Sequence, residues 1–106
     1  MIDEKTILDL RDSIAAEFQP QRIIMFGSYA DGTAGEYSDL DLLVIMNYVG
    51  SGMRKALEIL SRVRPRIPVD LVVRTPEEIR KRMQANDFFL AEILQRGRVL
   101  YEASDQ

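Results

Sequence analysis

Residues 39–46 read DLDLLVIM, and this stretch decides how the chain folds. Its first half alternates acidic and apolar residues, whereas its second half is continuously apolar. Alternation is typical of a half-buried β-strand, and a continuous apolar run is typical of a strand buried on both faces. We therefore predict a strand that is solvated at its start. The carboxylates of Asp39 and Asp41 should share one face of the sheet, because side chains two residues apart in a strand point the same way.

Outward from this strand, apolar periodicity and turn residues predict alternating helices and strands. The expected fold class is a small α/β or α+β domain, with helices packed on a small mixed β-sheet. The predicted elements are a helix over about 4–18, a strand over 22–26, a helical turn after Gly27-Ser28, a helix capped by Ser51, a strand over 69–73, a helix begun by a capping box at Thr75, a helix capped by Asp87 or Asn86 that runs to about 95 and is ended by Gly97, and an extended segment over 98–101.

The composition restricts the chemistry that this chain can perform. Its 106 residues suit one domain over residues 1–106, and they include no cysteine and no histidine. Disulfides, thiol nucleophiles, Ser-His-Asp triads and zinc fingers are therefore excluded. Any reaction must use carboxylates, hydroxyls, lysine, arginine or a hard metal ion.

Charge and hydropathy bear on partners and location. The net charge is −3, from 14 basic and 17 acidic side chains, which argues against direct nucleic-acid binding because phosphates require a basic face. No apolar stretch approaches the roughly 20 residues that span a bilayer, and the acidic N-terminus lacks the apolar core of a signal peptide. We expect a cytoplasmic protein without membrane contact. Homo- or hetero-oligomerisation stays open.

A third carboxylate lies in another predicted strand. Asp70 interrupts IPVDLVV at residues 67–73, and an unpaired aspartate inside a strand is costly when it is buried. If the two strands are neighbours, Asp39, Asp41 and Asp70 come close together, and their mutual repulsion calls for a cation. Mg²⁺ prefers oxygen ligands, and two such ions would form a clamp for phosphoryl or nucleotidyl transfer.

The turn Gly27-Ser28 is the second half of this candidate site, separated from Asp39 by residues 29–38. A glycine at a strand end, followed by a hydroxyl, can offer backbone N–H groups to a phosphate. Each feature has an ordinary alternative. Asp39 can be a solvated turn residue, Asp70 a strand-edge residue that faces water, and Gly27-Ser28 a plain tight turn. The combination is more specific than its members.

These residues resemble the GSx10DxD signature of the nucleotidyltransferase superfamily related to DNA polymerase β. The signature lies in GSYA at 27–30 and SDLDLLV at 38–44. The short length and the ending ILQRGRVLYE at 93–102 are similar to the minimal nucleotidyltransferases, and the resemblance spans residues 7–102. It implies the polymerase β-like nucleotidyltransferase fold.

The resemblance also implies a role for each candidate residue. Gly27 and Ser28 would bind the triphosphate of ATP, and Asp39 and Asp41 would bind two Mg²⁺ ions. Asp70 would be the third metal ligand and the base for the incoming hydroxyl. Many such proteins are antitoxins encoded beside a HEPN-domain RNase toxin. The active ones resemble protein adenylyltransferases, which move AMP from ATP onto a tyrosine of the toxin.

Two alternatives to this function stay open. The chain could be a non-catalytic antitoxin that acts by occluding its partner, or it could transfer a nucleotide to a small molecule or to RNA ends. The chain is too short to include a separate acceptor-binding domain, which favours a protein acceptor. The last predicted helix is apolar on more than one stripe over residues 88–94, and burial between the sheet and its neighbours is slightly preferred to an exposed interface.

Asp31 departs from the pattern of the family. Members often read GSxARG, whereas residues 30–32 here read ADG, which places Asp31 where a cation is common. An anion beside the triphosphate would weaken its binding unless Asp31 points away or Arg54, Lys55 or Arg74 compensates.

Overall fold

A computed structural model describes residues 1–104, so the predicted domain end at residue 106 lies outside the described residues. The fold class is confirmed, because helices pack on one small sheet. In chain order the elements are α1 (Glu4–Phe18), β1 (Arg22–Phe26), α2 (Ser28–Asp31), β2 (Leu40–Ile45), α3 (Gly52–Val63), β3 (Val69–Arg74), α4 (Pro76–Gln84), α5 (Phe88–Arg96) and β4 (Arg98–Glu102).

The strands form a mixed sheet in the order β3-β2-β1-β4. β1 pairs antiparallel with β2 and with β4, whereas β2 and β3 run parallel. A parallel pair needs a long crossover connection, and α3 provides it. Because β2 is an interior strand with helices on both faces, every one of its residues except Asp41 is buried. Leu40, the first residue of β2, is already fully buried, so the solvated start predicted for this strand is limited to Asp39, which precedes it, and to Asp41.

Apolar side chains cover both faces of the sheet. On one face, α1 and α3 pack against a cluster that includes Leu42 and Val44 of β2. On the other face, α5 packs through Leu90 and Ile93. Their strand partners on that face include Leu43 and Ile45 of β2. Odd-numbered residues of β2 therefore face α5, and this alternation places Asp41 on the α5 side of the sheet.

Local signals fix the starts of the four longer helices, α1, α3, α4 and α5. In each case a side-chain oxygen accepts a backbone N–H three residues later, which satisfies a donor that the first turn leaves unpaired. The residues that cap in this way are Asp3, Ser51, Thr75 and Asp87. At Thr75 the full capping box forms with Glu78, and Pro76 occupies the first turn.

The preferred expectation for the last helix is wrong. Only Leu90 and Ile93 of α5 are buried, whereas Phe88 is 87% exposed and Phe89 is 56% exposed. The physical reason is that α5 lies on the outside of the sheet and only one of its faces meets the strands. No helix within residues 1–104 is both long and apolar enough to cross a membrane.

Candidate active site

The starts of β2 and β3 place two of the predicted carboxylates side by side. In the parallel register Asp41 stands opposite Asp70, and on its other side Asp41 pairs with Phe26 at the end of β1. Neighbouring strands are about 4.8 Å apart, so the two aspartates are adjacent across the sheet. Like charges in this arrangement are destabilising. Placing Asp41 beside Asp70 therefore lowers the stability of the fold, so stability does not explain why two aspartates stand here.

Asp39 completes the group of acidic residues. It immediately precedes β2 and is exposed, whereas Asp41 is half-buried. Burial raises the pKa of Asp41, and the charges of Asp70 and then Asp39 raise that pKa further. Asp41 is thus the carboxylate on which the charges of the other two act.

The sequence allows two interpretations of Asp70, a buried carboxylate or a strand-edge residue that faces water. β3 is an edge strand, and Asp70 is exposed on it. The alternative of a strand-edge residue that faces water is the correct one. Its neighbours in β3 are apolar because they pack toward the helices. An apolar run around an aspartate therefore does not by itself show that the aspartate is buried.

Gly27 connects the carboxylates to the turn that follows β1. Its φ is 73°, in the left-handed region that glycine adopts without strain. A Cβ atom built at this position would overlap Oδ2 of Asp41 and would lie 3.2 Å from its Cγ. Ser28 follows and begins the short helix α2, whose carbonyl at Ser28 accepts the N–H of Thr33 at 3.0 Å. The turn backbone therefore approaches the Asp41 carboxylate more closely than any side chain would permit.

The donor set of this site fits a hard divalent cation. Carboxylate oxygens are the ligands that Mg²⁺ prefers. Burial is the first cause of the raised pKa of Asp41, the charges of Asp70 and Asp39 add to it, and a bound cation would offset those charges. As the side chains stand, no three acidic, histidine or cysteine groups within residues 1–104 converge closely enough to hold an ion. Repulsion between like charges favours such separation, and the exposure of Asp39 and Asp70 leaves both free to turn toward Asp41.

A cavity of about 390 Å³ lies beside the turn, between α2 and α5. Phe26 and Phe89 line it, and their rings meet edge to face with centroids 5.7 Å apart. Arg96 lines the opposite part of the cavity, near the end of α5. None of these three residues is among the site residues predicted from the sequence. Whether these residues line the cavity depends on which face of α5 packs against β1, and this packing cannot be deduced from local sequence patterns.

Asp31 also lines this cavity, but its carboxylate is held by the turn that ends α2. Its Oδ1 accepts the backbone N–H of Thr33 at 3.1 Å and the Thr33 hydroxyl at 2.6 Å. These hydrogen bonds are the main cause of the lowered pKa of Asp31, and the charge of Arg96 adds to them. Asp31 is therefore a charged group that stabilises its own loop.

The cations suggested by the sequence as compensation for Asp31 lie elsewhere. Arg74 pairs with Ile45 at the far ends of β3 and β2, where it donates to the Val73 carbonyl at 2.8 Å. The start of α3 packs at that same end, since a Cβ on Gly52 would lie 3.1 Å from an Arg74 nitrogen. Arg54 and Lys55, in the first turn of α3, belong to this end too. The prediction that Arg54, Lys55 or Arg74 compensates for the charge of Asp31 is wrong, because all three lie at the other end of the strands.

Comparison with known proteins places these features in a family. The model of the nucleotidyltransferase domain family matches residues 7–100. A protein of Methanocaldococcus jannaschii named "Putative protein adenylyltransferase MJ0604" is 30% identical over 107 residues, which cover 95% of this chain and 100% of that protein. A second protein of the same organism, named "Putative protein adenylyltransferase MJ1305", is 46% identical over 50 residues, which cover 42% of this chain and 34% of that protein.

Solved structures share the fold. A nucleotidyltransferase structure from Sulfolobus solfataricus superimposes with a TM-score of 0.65 at 19% identity, covering 92% of this chain and 78% of that one. A toxin–antitoxin structure with AMP-PNP gives a TM-score of 0.55 at 24% identity, covering 97% of this chain and 76% of that one.

Proposed function

The chain belongs to the nucleotidyltransferase domain family, and from that premise we propose that it moves AMP from ATP onto a hydroxyl of a partner protein, with Mg²⁺ as cofactor. The observation that carries the proposal is the setting of Asp41: it stands opposite Asp70, and a Cβ at Gly27 would overlap the Asp41 carboxylate. A relative that is named as a protein adenylyltransferase and aligns over its full length favours a protein acceptor.

The proposal gives each residue of the site a role. Asp39, Asp41 and Asp70 would hold Mg²⁺, two ions in the fullest form of the site. When bound, Mg²⁺ would neutralise charge that develops on the phosphates during transfer. Gly27 and Ser28 would bind the triphosphate through their backbone and the serine hydroxyl. The close approach of Gly27 to Asp41 keeps the phosphates within reach of the carboxylates.

The residues of the chain then support an in-line displacement. The acceptor oxygen forms a bond to the α-phosphorus while the bond to pyrophosphate breaks. Asp70 accepts the proton of the acceptor hydroxyl, a role that its exposure on the edge strand permits. The Gly27-Ser28 turn holds the leaving pyrophosphate. Positioning and electrostatic stabilisation account for most of the rate in such reactions.

We propose further that the partner is a HEPN-domain RNase toxin, that a tyrosine is the acceptor and that transfer neutralises the toxin. The support is the sequence resemblance to antitoxins of this kind and the fold shared with toxin–antitoxin structures. A cytoplasmic location stays a prediction from the sequence.

A second candidate function is occlusion of the partner without transfer. Two observations favour it: the exposed aromatic side chains Phe88 and Phe89 on α5, and the anionic Asp31 beside the triphosphate turn. Exposed aromatic residues are enriched where proteins bind one another. Transfer to a small molecule has no comparable support in this structure.

Intact-mass spectrometry of the partner tests the proposal. The partner encoded beside this chain is co-expressed and then incubated with the wild-type chain, ATP and Mg²⁺. We expect a gain of one or more AMP units, which the Asp39→Asn/Asp41→Asn variant does not produce. The matched control is Asp9→Asn/Asp12→Asn, which removes two exposed charges from α1 and should retain transfer. A stable complex without any mass gain would contradict transfer and support occlusion.

A further inference from the structure

The cavity between α2 and α5 is continuous with the proposed triphosphate turn. Gly27, Ala30 and Asp31 line one wall, and Glu92 and Arg96 line the other. A Cβ at Gly27 would overlap the Asp41 carboxylate, so the turn passes close to the proposed metal ligands. A phosphate chain that runs from the carboxylates past Gly27 therefore enters this cavity, where its outer phosphates need a positive charge.

Asp31 cannot supply that charge, but the opposite wall can. Arg96 is the one cationic side chain among the described residues that line the cavity. It is close enough to Asp31 to help lower the pKa of that carboxyl, after the hydrogen bonds from Thr33. Because Oδ1 of Asp31 is occupied by Thr33, this carboxylate does not need Arg96 as its main partner.

Arg96 is free to exchange its present partner for a phosphate. It forms an ion pair with Glu92 at 3.1 Å, one turn earlier on α5, and its side chain is 78% exposed. Exposed pairs four residues apart on a helix contribute little stability, so releasing Arg96 from Glu92 costs little. A guanidinium can then bind phosphate oxygens in a bidentate manner that a lysine cannot reproduce.

Three other arginines do not line the cavity. Arg98, two residues further along the chain, forms an ion pair with Glu4 of α1 at 2.7 Å. Arg82 of α4 is paired with Asp87 at 3.3 Å. Arg74 lies at the far end of β3. Arg96 is thus the cation that the geometry favours.

We propose that Arg96 binds the β- and γ-phosphates of ATP from the wall opposite Asp31, and so replaces the cation that position 31 lacks. This inference rests on the proposed function, because it concerns the nucleotide of the same site. It predicts a contribution to binding that depends on the number of phosphates in the ligand.

Calorimetric titration of the full chain with ATP and with AMP, both in Mg²⁺, tests the inference. Arg96→Gln should weaken ATP binding about tenfold, the effect of losing a charge-assisted contact at an exposed site, and should change AMP binding less than about twofold. The control is Arg80→Gln, which removes an exposed arginine paired with Glu77 on α4, away from the cavity. It should leave both affinities unchanged.

A second variant asks whether a cation on either wall suffices. Asp31→Arg should tighten ATP binding, and adding it to Arg96→Gln should restore the lost affinity. Unchanged ATP binding by Arg96→Gln, or equal weakening of ATP and AMP, overturns the inference while the proposed function stands. Absence of ATP binding by the wild-type chain overturns both.

Discussion

The two ends of the parallel pair β2 and β3 differ in the partners of their acidic groups. We call an end matched where the acidic group has hydrogen-bond donors beside it, and unmatched where it faces a like charge. At the starting end, Asp41 stands opposite Asp70, a like charge. At the far end, the hydroxyl of Tyr48 lies 2.8 Å from Oε1 of Glu78 and 3.1 Å from the Val73 carbonyl oxygen.

The pKa values of the two ends move in opposite directions. Burial and the charge of Asp70 raise the pKa of Asp41, whereas the backbone N–H of Thr75 is the main cause of the lowered pKa of Glu78. Burial and Glu78 raise the pKa of Tyr48 to about 12, so its hydroxyl stays protonated as a donor. The far end is therefore matched for stability. The starting end is unmatched, which is expected of a site that binds charged ligands.

The largest effect should come from removing the unmatched charges. Asp39→Asn/Asp41→Asn should lower the rate of AMP transfer by at least about a thousandfold, because the site loses two candidate ligands and several kcal/mol of charge stabilisation in the transition state. The melting temperature should stay unchanged or rise slightly, since repulsion is relieved. Initial rates of AMP incorporation into the partner check this. A double variant with full activity would refute the site assignment.

Gly27→Ala should lower transfer by about a hundredfold, because its methyl group would overlap the Asp41 carboxylate and displace either the turn or the ligand. Gly50→Ala is the matched control. Gly50 also has a positive φ, 95°, but a Cβ there meets nothing within 4 Å. Both variants should lose some thermal stability from backbone strain. Equal transfer rates for the two would show that the close approach at Gly27 has no functional role.

At the matched end, Tyr48→Phe should cost about 1 kcal/mol of the free energy of unfolding, with a fall in melting temperature of about 4–8 °C. Transfer activity should be retained, because this end is remote from the carboxylates. Tyr37→Phe, at a tyrosine that is 91% exposed, should change neither quantity. Loss of activity in Tyr48→Phe without loss of stability would reverse the roles of the two ends.

The smallest effect is a pH dependence of opposite sign at the two ends. Because the folded pKa of Asp41 is raised above 3.8, its ionised form costs stability above that folded pKa. Asp41→Asn should therefore raise the melting temperature by about 1–3 °C at pH 7. That gain should vanish as the pH falls through the raised pKa toward 3.8.

Glu78 provides the opposite case. Its folded pKa is lowered below 4.5, so its ionised form stabilises the fold above 4.5 and this contribution is lost as the pH falls through the lowered pKa. Glu78→Gln should lower the melting temperature at pH 7 and lose most of that effect in acid. Melting curves of both variants across this range check the pair. Effects of the same sign would contradict the comparison.

Much of the fold could be predicted because its signals are local. The caps at Ser51, Thr75 and Asp87 and the apolar run of β2 act through neighbours in sequence, so the helix starts and the interior strand were found. The spacing of Asp39 and Asp41 is visible for the same reason, and their role in a site stays a prediction. The sequence left open whether Asp70 is buried or faces water at a strand edge, because the answer depends on β3 being an edge strand.

Gly97 is a second residue whose structural role could not be predicted from the sequence. The sequence predicts it as the stop of α5, which suggests a left-handed cap, but its φ is −70°. Its absent side chain has another consequence: a Cβ would lie 2.6 Å from Cγ2 of Ile24 and 3.1 Å from the carbonyl oxygen of Met25. Gly97 thus lets the end of α5 approach β1, which brings Arg96 to the cavity. Such packing between distant elements leaves no periodic trace in the sequence.

Backbone amide NMR spectra of the chain, recorded while Mg²⁺ and a non-hydrolysable ATP analogue are added, test most directly whether the opposed carboxylates form the nucleotide site. We predict that chemical shifts change at Gly27, Ser28, Asp41 and Asp70, at the unmatched end of the strand pair. Amides of Tyr48, Thr75 and Glu78 should stay unperturbed. No change at the Asp41 end, or changes centred on the Tyr48 end, would contradict the claim that the opposed carboxylates form the nucleotide site.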